Sequence, residues 1–204
     1  MGPSHPSEVH YQANITAGAL KLPESRIIAG LLLRRLDPQA WNHAILAQNV
    51  LQARNPATAR RLTKLIRARL ETMGPDLWRL VRDGQGTIPL LATFAAAVKH
   101  SPLLGDFLQL VVAEQYRLFA TTLTKTMFAN YLDGCRERDP DMPLWNESTR
   151  RRLRSSIFQM LAQAGYLENT RSLRLQVVHI PQQVLDYLTA HREEYVLRSL
   201  QVSP

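Results

Sequence analysis

The spacing of apolar side chains predicts a chain built mostly of helices. Apolar residues recur at intervals of three and four over long stretches, which places them along one side of a helix. A short polar residue followed by proline, as at Asp37-Pro38 and Asn55-Pro56, is typical of a helix N-terminus. Together these signals predict helices over about 23–36, 38–54, 56–72, 76–82, 88–100, 102–135 (continuous or interrupted), 148–163 and 182–200.

The hydrophobic period changes once, between residues 166 and 180. The segments 166–168 and 173–180 alternate in polarity around a turn from Asn169 to Ser172, which predicts a two-stranded hairpin closed by Pro181. The expected fold is therefore mainly α. A helical N-terminal lobe with a helix-turn-helix is expected over 1–110. A C-terminal lobe over 111–204 is expected to be a winged helix with this small β-hairpin.

The predicted helix from Ser148, followed by the hairpin, has the layout of a winged helix. Leu153, Ile157 and Leu161 share one face, and cationic residues fill the opposite face in the first two turns, the part of a recognition helix that enters a major groove. The DNA contacts expected in this lobe are Arg150, Arg151, Arg152, Arg154 and Ser155 on the helix and Arg171 and Arg174 at the hairpin tip. A purely structural winged helix is the alternative.

The helices predicted over 38–54 and 56–72 are joined by a turn of about two residues, which is compatible with a helix-turn-helix. The DNA contacts expected here are Arg54, Arg60, Arg61, Lys64 and Arg67. An ordinary helical hairpin with a solvated basic face explains the same spacing equally well. Arg69 projects from the apolar stripe, so we expect it to pair with a carboxylate or to extend its charged end into solvent.

Charge is distributed in blocks that favour a polyanionic partner. The formal net charge of +8 combines −1 over 1–25, +8 over 26–82, −3 over 83–149 and +4 over 150–204. Two basic regions therefore flank an acidic middle, and an acidic ligand explains this better than a uniformly solubilising surface. A charge-rich solvated surface remains the alternative.

Signatures of catalysis are missing from the sequence. A single cysteine, Cys135, excludes a disulfide framework and a cysteine-based zinc site. The six histidines show no paired metal-ligand spacing, and no phosphate-cradling loop is present. We therefore expect no enzymatic activity, metal, cofactor or small-molecule substrate. The absence of a long apolar run predicts no membrane span and a cytoplasmic protein.

Several short runs, in order and at similar spacing over roughly residues 15–190, carry a family resemblance. They are Ser25–Ala29, Asn49–Gln52, Thr58–Leu62, Ile66–Leu70, Asp106–Leu108, Trp145–Arg150 and Ala164–Leu167. Together they resemble the BrxA proteins of bacterial BREX phage-defence systems. The resemblance implies a small accessory protein that binds DNA without catalysis, with a helix-turn-helix in the N-terminal part and a winged C-terminal part. That family has also been likened to NusB-type factors, which bind RNA.

The function expected from these observations is sequence-tolerant binding of double-stranded DNA through phosphate contacts. Other BREX proteins are further possible partners. Two alternatives stay open at this point. One is an RNA-binding regulatory factor, which would normally read splayed bases by aromatic stacking. The other is a protein scaffold within the defence complex.

Overall fold

The computed structural model describes residues 10–15 and 19–204, and nearly all of its regular structure is helical. The helices are α1 (Leu22–Leu33), α2 (Pro38–Asn42), α3 (Pro56–Leu70), α4 (Pro75–Asp83), α5 (Ile88–His100), α6 (Pro102–Phe107), α7 (Ala113–Arg117), α8 (Lys125–Arg138), α9 (Glu147–Ala164), α10 (Gln182–Ala190) and α11 (Glu194–Leu200). A π-helical turn, His43–Ala47, extends α2, and a second, Leu108–Val112, joins α6 to α7. The predicted mainly α class is confirmed.

Helix α5 lies at the centre of the molecule. Every residue from Leu91 to Val98 is buried, and the helix contacts α1, α3, α4, α6, α9, α10 and α11. Because α3 and α9 both pack on this apolar helix, their outer faces are held in a fixed relation to each other. Among the described residues, no single helix has the length and apolar composition needed to cross a membrane, although α5 with the segment Pro102–Arg117 meets both across a 107° bend.

The second predicted helix ends earlier than its sequence pattern indicates. Regular helix stops at Ala47, and Asn49 and Gln52 both adopt left-handed backbone conformations, with φ of 47° and 50°. The Asn49 side chain exchanges two hydrogen bonds with the backbone of Ala53, which stabilises a loop in place of another helical turn. The predicted two-residue turn at Asn55-Pro56 is therefore wrong, because the connection runs over residues 48–55.

The predicted hairpin is not confirmed as a pair of strands. In the part of the chain that the structure describes, residues 166–180 form only isolated antiparallel bridges, Leu167 with Leu175 and Thr122 with Arg174. The second bridge pairs this region with the segment before α8. The backbone of residues 173–175 therefore hydrogen-bonds to residues 121–123 as well as to residue 168, and neither pairing extends into a ladder.

A close contact between α6 and α11 gives a first prediction about stability. Tyr11 and Tyr195 both donate to Asp106, at 2.6 and 2.7 Å, and a Cβ on Gly105 would overlap the Tyr195 hydroxyl and ring. We expect Gly105→Ala to lower the free energy of unfolding by about 2–3 kcal/mol, since the ring must move away from Asp106. Urea denaturation measures this.

The matched control is Gly134→Ala in α8, where the nearest atom to a new Cβ is the flexible end of Arg138. That change should leave stability unchanged or raise it by about 0.5–1 kcal/mol, as expected for glycine to alanine inside a helix. Equal effects at both positions would contradict the proposed clash with Tyr195.

Candidate nucleic-acid interface

Helix α3 presents a stripe of mixed polar and apolar residues to one side. Its N-terminus is fixed by the Asn55 side chain, which accepts from the Thr58 backbone N–H at 2.8 Å, and Ile66 and Leu70 anchor a neighbouring face in the core. With 3.6 residues per turn, the positions 58, 61, 62 and 65 then line up along the side that faces α9. Arg61, which is exposed, is the cation on this stripe.

Helix α9 presents a second stripe toward α3. The Asn146 side chain caps its N-terminus by accepting from Thr149 N–H at 2.9 Å, and Leu153, Ile157 and Leu161 are fully buried. Positions 148, 151, 152, 155 and 159 follow helical spacing on the other side. This stripe carries Arg151 and Arg152 within the first two turns of the helix.

The two stripes form the walls of a groove of about 770 Å³, which we name the first groove. Its lining consists of Lys21, Thr58, Arg61, Leu62, Leu65, Ser148, Arg151, Arg152, Ser155, Ser156 and Gln159. The basic parts of the two predicted lobes therefore meet in one place. Two of the cations have carboxylate partners at 3.7–3.9 Å, Arg151 with Glu147 and Lys21 with Glu24. Because Arg61 and Arg152 form no ion pair with the described residues, the groove keeps a net positive charge.

A second groove of about 380 Å³ lies on the other side of α9. It is lined by Lys125, Arg154, Ser155, Phe158, Gln159 and Thr170. Ser155 and Gln159 line both grooves, so the exposed face of α9 is a ridge with a positive groove on each side. We refer to these two grooves together as the channels. Among the described residues, Lys125 and Arg154 have no ion-pair partner.

Three of the predicted contact residues outside the two grooves are engaged with other side chains. Arg67 lies 4.5 Å above the Trp41 ring and pairs with Glu71 at 2.7 Å, Arg150 pairs with Asp133 at 2.9 Å, and Arg174 lies 3.9 Å from Glu168. The others outside the two grooves are exposed without an ion pair inside the described ranges: Arg54, Arg60, Lys64 and Arg171.

A short N-terminal segment ties the two groove helices together. The Leu20 backbone N–H donates to Gln163 Oε1 on α9 at 2.8 Å, and Arg69 Nη1 on α3 donates to the Ala19 carbonyl at 3.2 Å. We call Ala19 and Leu20, together with their partners Arg69 and Gln163, the clasp. The next residue, Lys21, adopts a left-handed conformation with φ of 57° and points into the first groove.

The expectation for Arg69 is wrong, because its side chain is 2% exposed and pairs with no carboxylate of the described residues. Its Nε and Nη2 atoms are buried and find no hydrogen-bond partner within residues 10–15 and 19–204. Burial lowers the pKa of Arg69 to about 10. The pKa of His100 is also lowered, mainly by its burial and to a smaller extent by the positive charge of Arg69.

Comparison with known proteins identifies the family. The profile of the BrxA family matches residues 9–192. A BREX protein BrxA from Paramagnetospirillum magneticum is 50% identical over 197 residues, which cover 97% of this chain and 99% of that protein. The chain belongs to the BrxA family. The resemblance noted in the sequence is thereby confirmed.

Two further comparisons also cover most of the chain. A BREX protein BrxA from Escherichia coli is 32% identical over 167 residues, covering 82% of this chain and 78% of that protein. A crystal structure of an uncharacterized protein from Magnetospirillum magneticum superposes with a TM-score of 0.89 at 48% identity, covering 96% of this chain and all of the other. The helical fold is thus shared with an experimentally determined structure.

Sequence reasoning missed two of the cations that line the two grooves. Lys21 and Lys125 lie far from the basic runs in sequence and reach the grooves only through the fold. Lys125 is the first residue of α8, directly after the capping residue Thr124. The sequence at this position indicates only the start of a helix. No sequence signal marks either lysine. Within the described ranges, no three metal-ligating side chains lie close enough together to hold a metal ion.

Proposed function

We propose that this chain is a non-enzymatic accessory protein of a BREX phage-defence system that binds double-stranded DNA in the cytoplasm. One observation carries the proposal: the exposed face of α9 is the common wall of two positively charged grooves. Belonging to the BrxA family also makes other BREX proteins natural partners.

The dimensions of a helix and of duplex DNA fit this arrangement. A helix with its side chains is about 10–12 Å across, and the major groove of B-DNA is about 12 Å wide. With α9 in the major groove, the two phosphate backbones that border that groove would lie in the two channels. Ser155 and Gln159, on the ridge between them, are then the side chains nearest to base edges.

Six cations line the two channels, which sets the expected dependence on salt. They are Lys21, Arg61, Lys125, Arg151, Arg152 and Arg154. If each neutralises one phosphate, the logarithm of the association constant falls against the logarithm of the salt concentration with a slope of about −5. Affinity for a duplex of mixed sequence should therefore drop about 1,000-fold between 50 and 200 mM salt.

A gel-shift titration of a 25-base-pair duplex at these two salt concentrations tests the proposal. Single-stranded RNA of the same length is the competitor. A flat salt response would remove the phosphate mechanism. Stronger competition by the RNA than by unlabelled duplex would favour an RNA-binding protein, since such proteins usually read the splayed bases of single strands.

The ridge gives a prediction that separates base contacts from phosphate contacts. We expect Gln159→Ala to reduce discrimination among duplexes of different sequence while leaving the salt slope unchanged, because an uncharged amide releases no counterions. Arg61→Ala should reduce the slope by about 0.9 and weaken all duplexes alike. Fluorescence anisotropy on a panel of duplexes distinguishes the two. A changed slope for Gln159→Ala would place α9 differently.

A further inference from the structure

An exposed apolar surface lies at the end of α7, and the DNA-binding proposal does not use it. In the part of the chain described, six large apolar side chains are exposed. Two of them are consecutive at this helix end, Leu118 at 63% and Phe119 at 91%, and a third is Val177 at 53%. Val177 follows Gln176, whose carbonyl accepts from Tyr116 Oη at 2.5 Å. We name this set the Phe119 surface.

The backbone at Phe119 favours a different residue. Ala120 N–H donates to Gln115 O at 2.9 Å and Phe119 N–H donates to Tyr116 O at 3.0 Å, the hydrogen-bond pattern of a Schellman motif at a helix C-terminus. In that motif the position of Phe119 is left-handed, here with φ of 54°, and glycine occupies it most often because a Cβ is unfavourable there.

Neither local backbone preference nor core packing therefore explains a phenylalanine at this position. Its ring is almost fully exposed, so it contributes little hydrophobic burial to the folded chain. A residue that is unfavourable for the backbone and unused in the core points to a role outside the chain.

The groove beside Phe119 indicates the charge of what binds there. This groove, of about 640 Å³, is lined by Arg117 and Arg198 together with Phe119, Tyr116, Ala113 and Val202, among others. Arg117 is 75% exposed and lies 3.5 Å from Glu114. Arg198 is exposed and forms no ion pair in the part of the chain described. Arg198 is therefore the unpaired charge of this groove, and an unpaired cation beside an apolar surface is complementary to an acidic, apolar ligand.

We propose that the Phe119 surface docks an acidic segment of another protein, with a large apolar side chain of that segment packed against Phe119 and its carboxylates paired with Arg117 and Arg198. Aromatic and arginine residues are the commonest energetic centres of protein interfaces. The two DNA-binding channels combine six cations with hydroxyl side chains, whereas this groove combines two cations with apolar residues and a carboxylate, Glu114, at its edge.

A second copy of the chain fits less well. A symmetric dimer through this surface would bring the same arginines of both copies together, which is unfavourable without intervening acids. The Phe119 groove shares no lining residue with either DNA channel. Protein docking here and DNA binding there are therefore compatible in one molecule, and each is testable without the other.

The test uses a phage-displayed library of random 16-residue peptides, selected on the full-length protein after depletion on the Phe119→Gly variant. We expect the enriched peptides to combine aspartate or glutamate with a large apolar residue. The best synthetic peptide should bind at least 10-fold more weakly to Phe119→Gly and to Arg117→Glu/Arg198→Glu. The melting temperature of Phe119→Gly should not fall, because glycine suits the backbone at this position.

Leu144→Ser is the matched control, since Leu144 is 78% exposed but lies outside this groove; it should leave peptide affinity unchanged. No enrichment over the depleted library, or enrichment of basic peptides, would overturn the proposal. Displacement of the peptide by a 12-nucleotide oligothymidylate would reassign the surface to nucleic acid. A dimer in sedimentation that Phe119→Gly abolishes would reassign it to a second copy of the chain.

Discussion

The double substitution Arg151→Glu/Arg152→Glu is expected to weaken duplex DNA binding at least about 100-fold at 0.1 M salt. Each phosphate contact contributes roughly a factor of 10 at this ionic strength through counterion release, and two contacts are lost. The new carboxylates add repulsion inside a groove that Lys21 and Arg61 also line. The salt slope should fall from about −5 to about −3. Fluorescence anisotropy at several salt concentrations measures both quantities.

The fold should tolerate this change, because both arginines are exposed and neither side chain packs in the core. We expect the free energy of unfolding to change by less than about 0.5 kcal/mol. The matched control is Arg34→Glu/Arg136→Glu, which alters net charge equally at exposed positions outside both channels. An equal loss of affinity in the control would mean that net charge, and not the groove between α3 and α9, controls binding.

The helices that carry the interface are predictable because their signals are local. Asn55 followed by proline gives the start of α3 to the residue, and the apolar periodicity of α9 gives its buried face. The capping residue of α9 is Asn146 and not Ser148, a shift of two residues within one turn. Local patterns also identify Arg61, Arg151 and Arg152 as surface cations.

The arrangement of those cations is not predictable from the chain alone. Arg61 and Arg152 are far apart in sequence and meet because α3 and α9 both pack on α5. Likewise, ion pairs between distant elements decide which cations stay free: Arg150 is engaged by Asp133 of α8, which no local pattern reveals. Periodicity reports which face of a helix is polar, and only the packed fold determines what that face meets.

The loop after α2 shows a different limit. Val50 and Leu51 continue the helical spacing, which is why the sequence predicts helix to residue 54. Leu51 is indeed buried, but it reaches the core from a loop that Asn49 stabilises through its hydrogen bonds to Ala53. Burial alone therefore does not distinguish a helix from a tightly bonded loop, and the capacity of asparagine for left-handed backbone decides the outcome.

Arg69 is a residue whose free-energy cost of burial can be recognised only from the structure. A guanidinium that is 2% exposed loses most of its hydration on folding. Among the residues that the structure describes, it makes one hydrogen bond, at 3.2 Å, and leaves two nitrogen atoms without a partner. Its pKa of about 10 corresponds to a cost of about 3 kcal/mol at neutral pH. This buried charge joins α3 to Ala19, which lies two residues before Lys21 of the first groove.

We therefore expect Arg69→Met to raise the free energy of unfolding by about 1–3 kcal/mol at pH 7 while weakening duplex binding by up to about 10-fold. Methionine has a similar volume and carries no charge to desolvate, so the fold gains stability. Loss of the hydrogen bond to Ala19 loosens the clasp, so Lys21 no longer occupies a fixed position and about one phosphate contact is lost. Urea denaturation and anisotropy measure the two effects separately.

The stability difference between Arg69→Met and the unsubstituted protein should depend on pH with a definite sign. Because folding lowers the pKa of Arg69, the Arg69 guanidinium holds its proton more strongly in the unfolded chain than in the folded one. The free-energy cost of burying its charge is therefore fully present below pH 10. The stability advantage of Arg69→Met should hence be constant from pH 6 to 9 and shrink as pH rises through 10. Arg61→Met, exposed on the same helix, is the control: it should weaken DNA binding with no gain in stability. A marked loss of stability in Arg69→Met would show that the buried charge is compensated, and the clasp would then be a feature of folding alone.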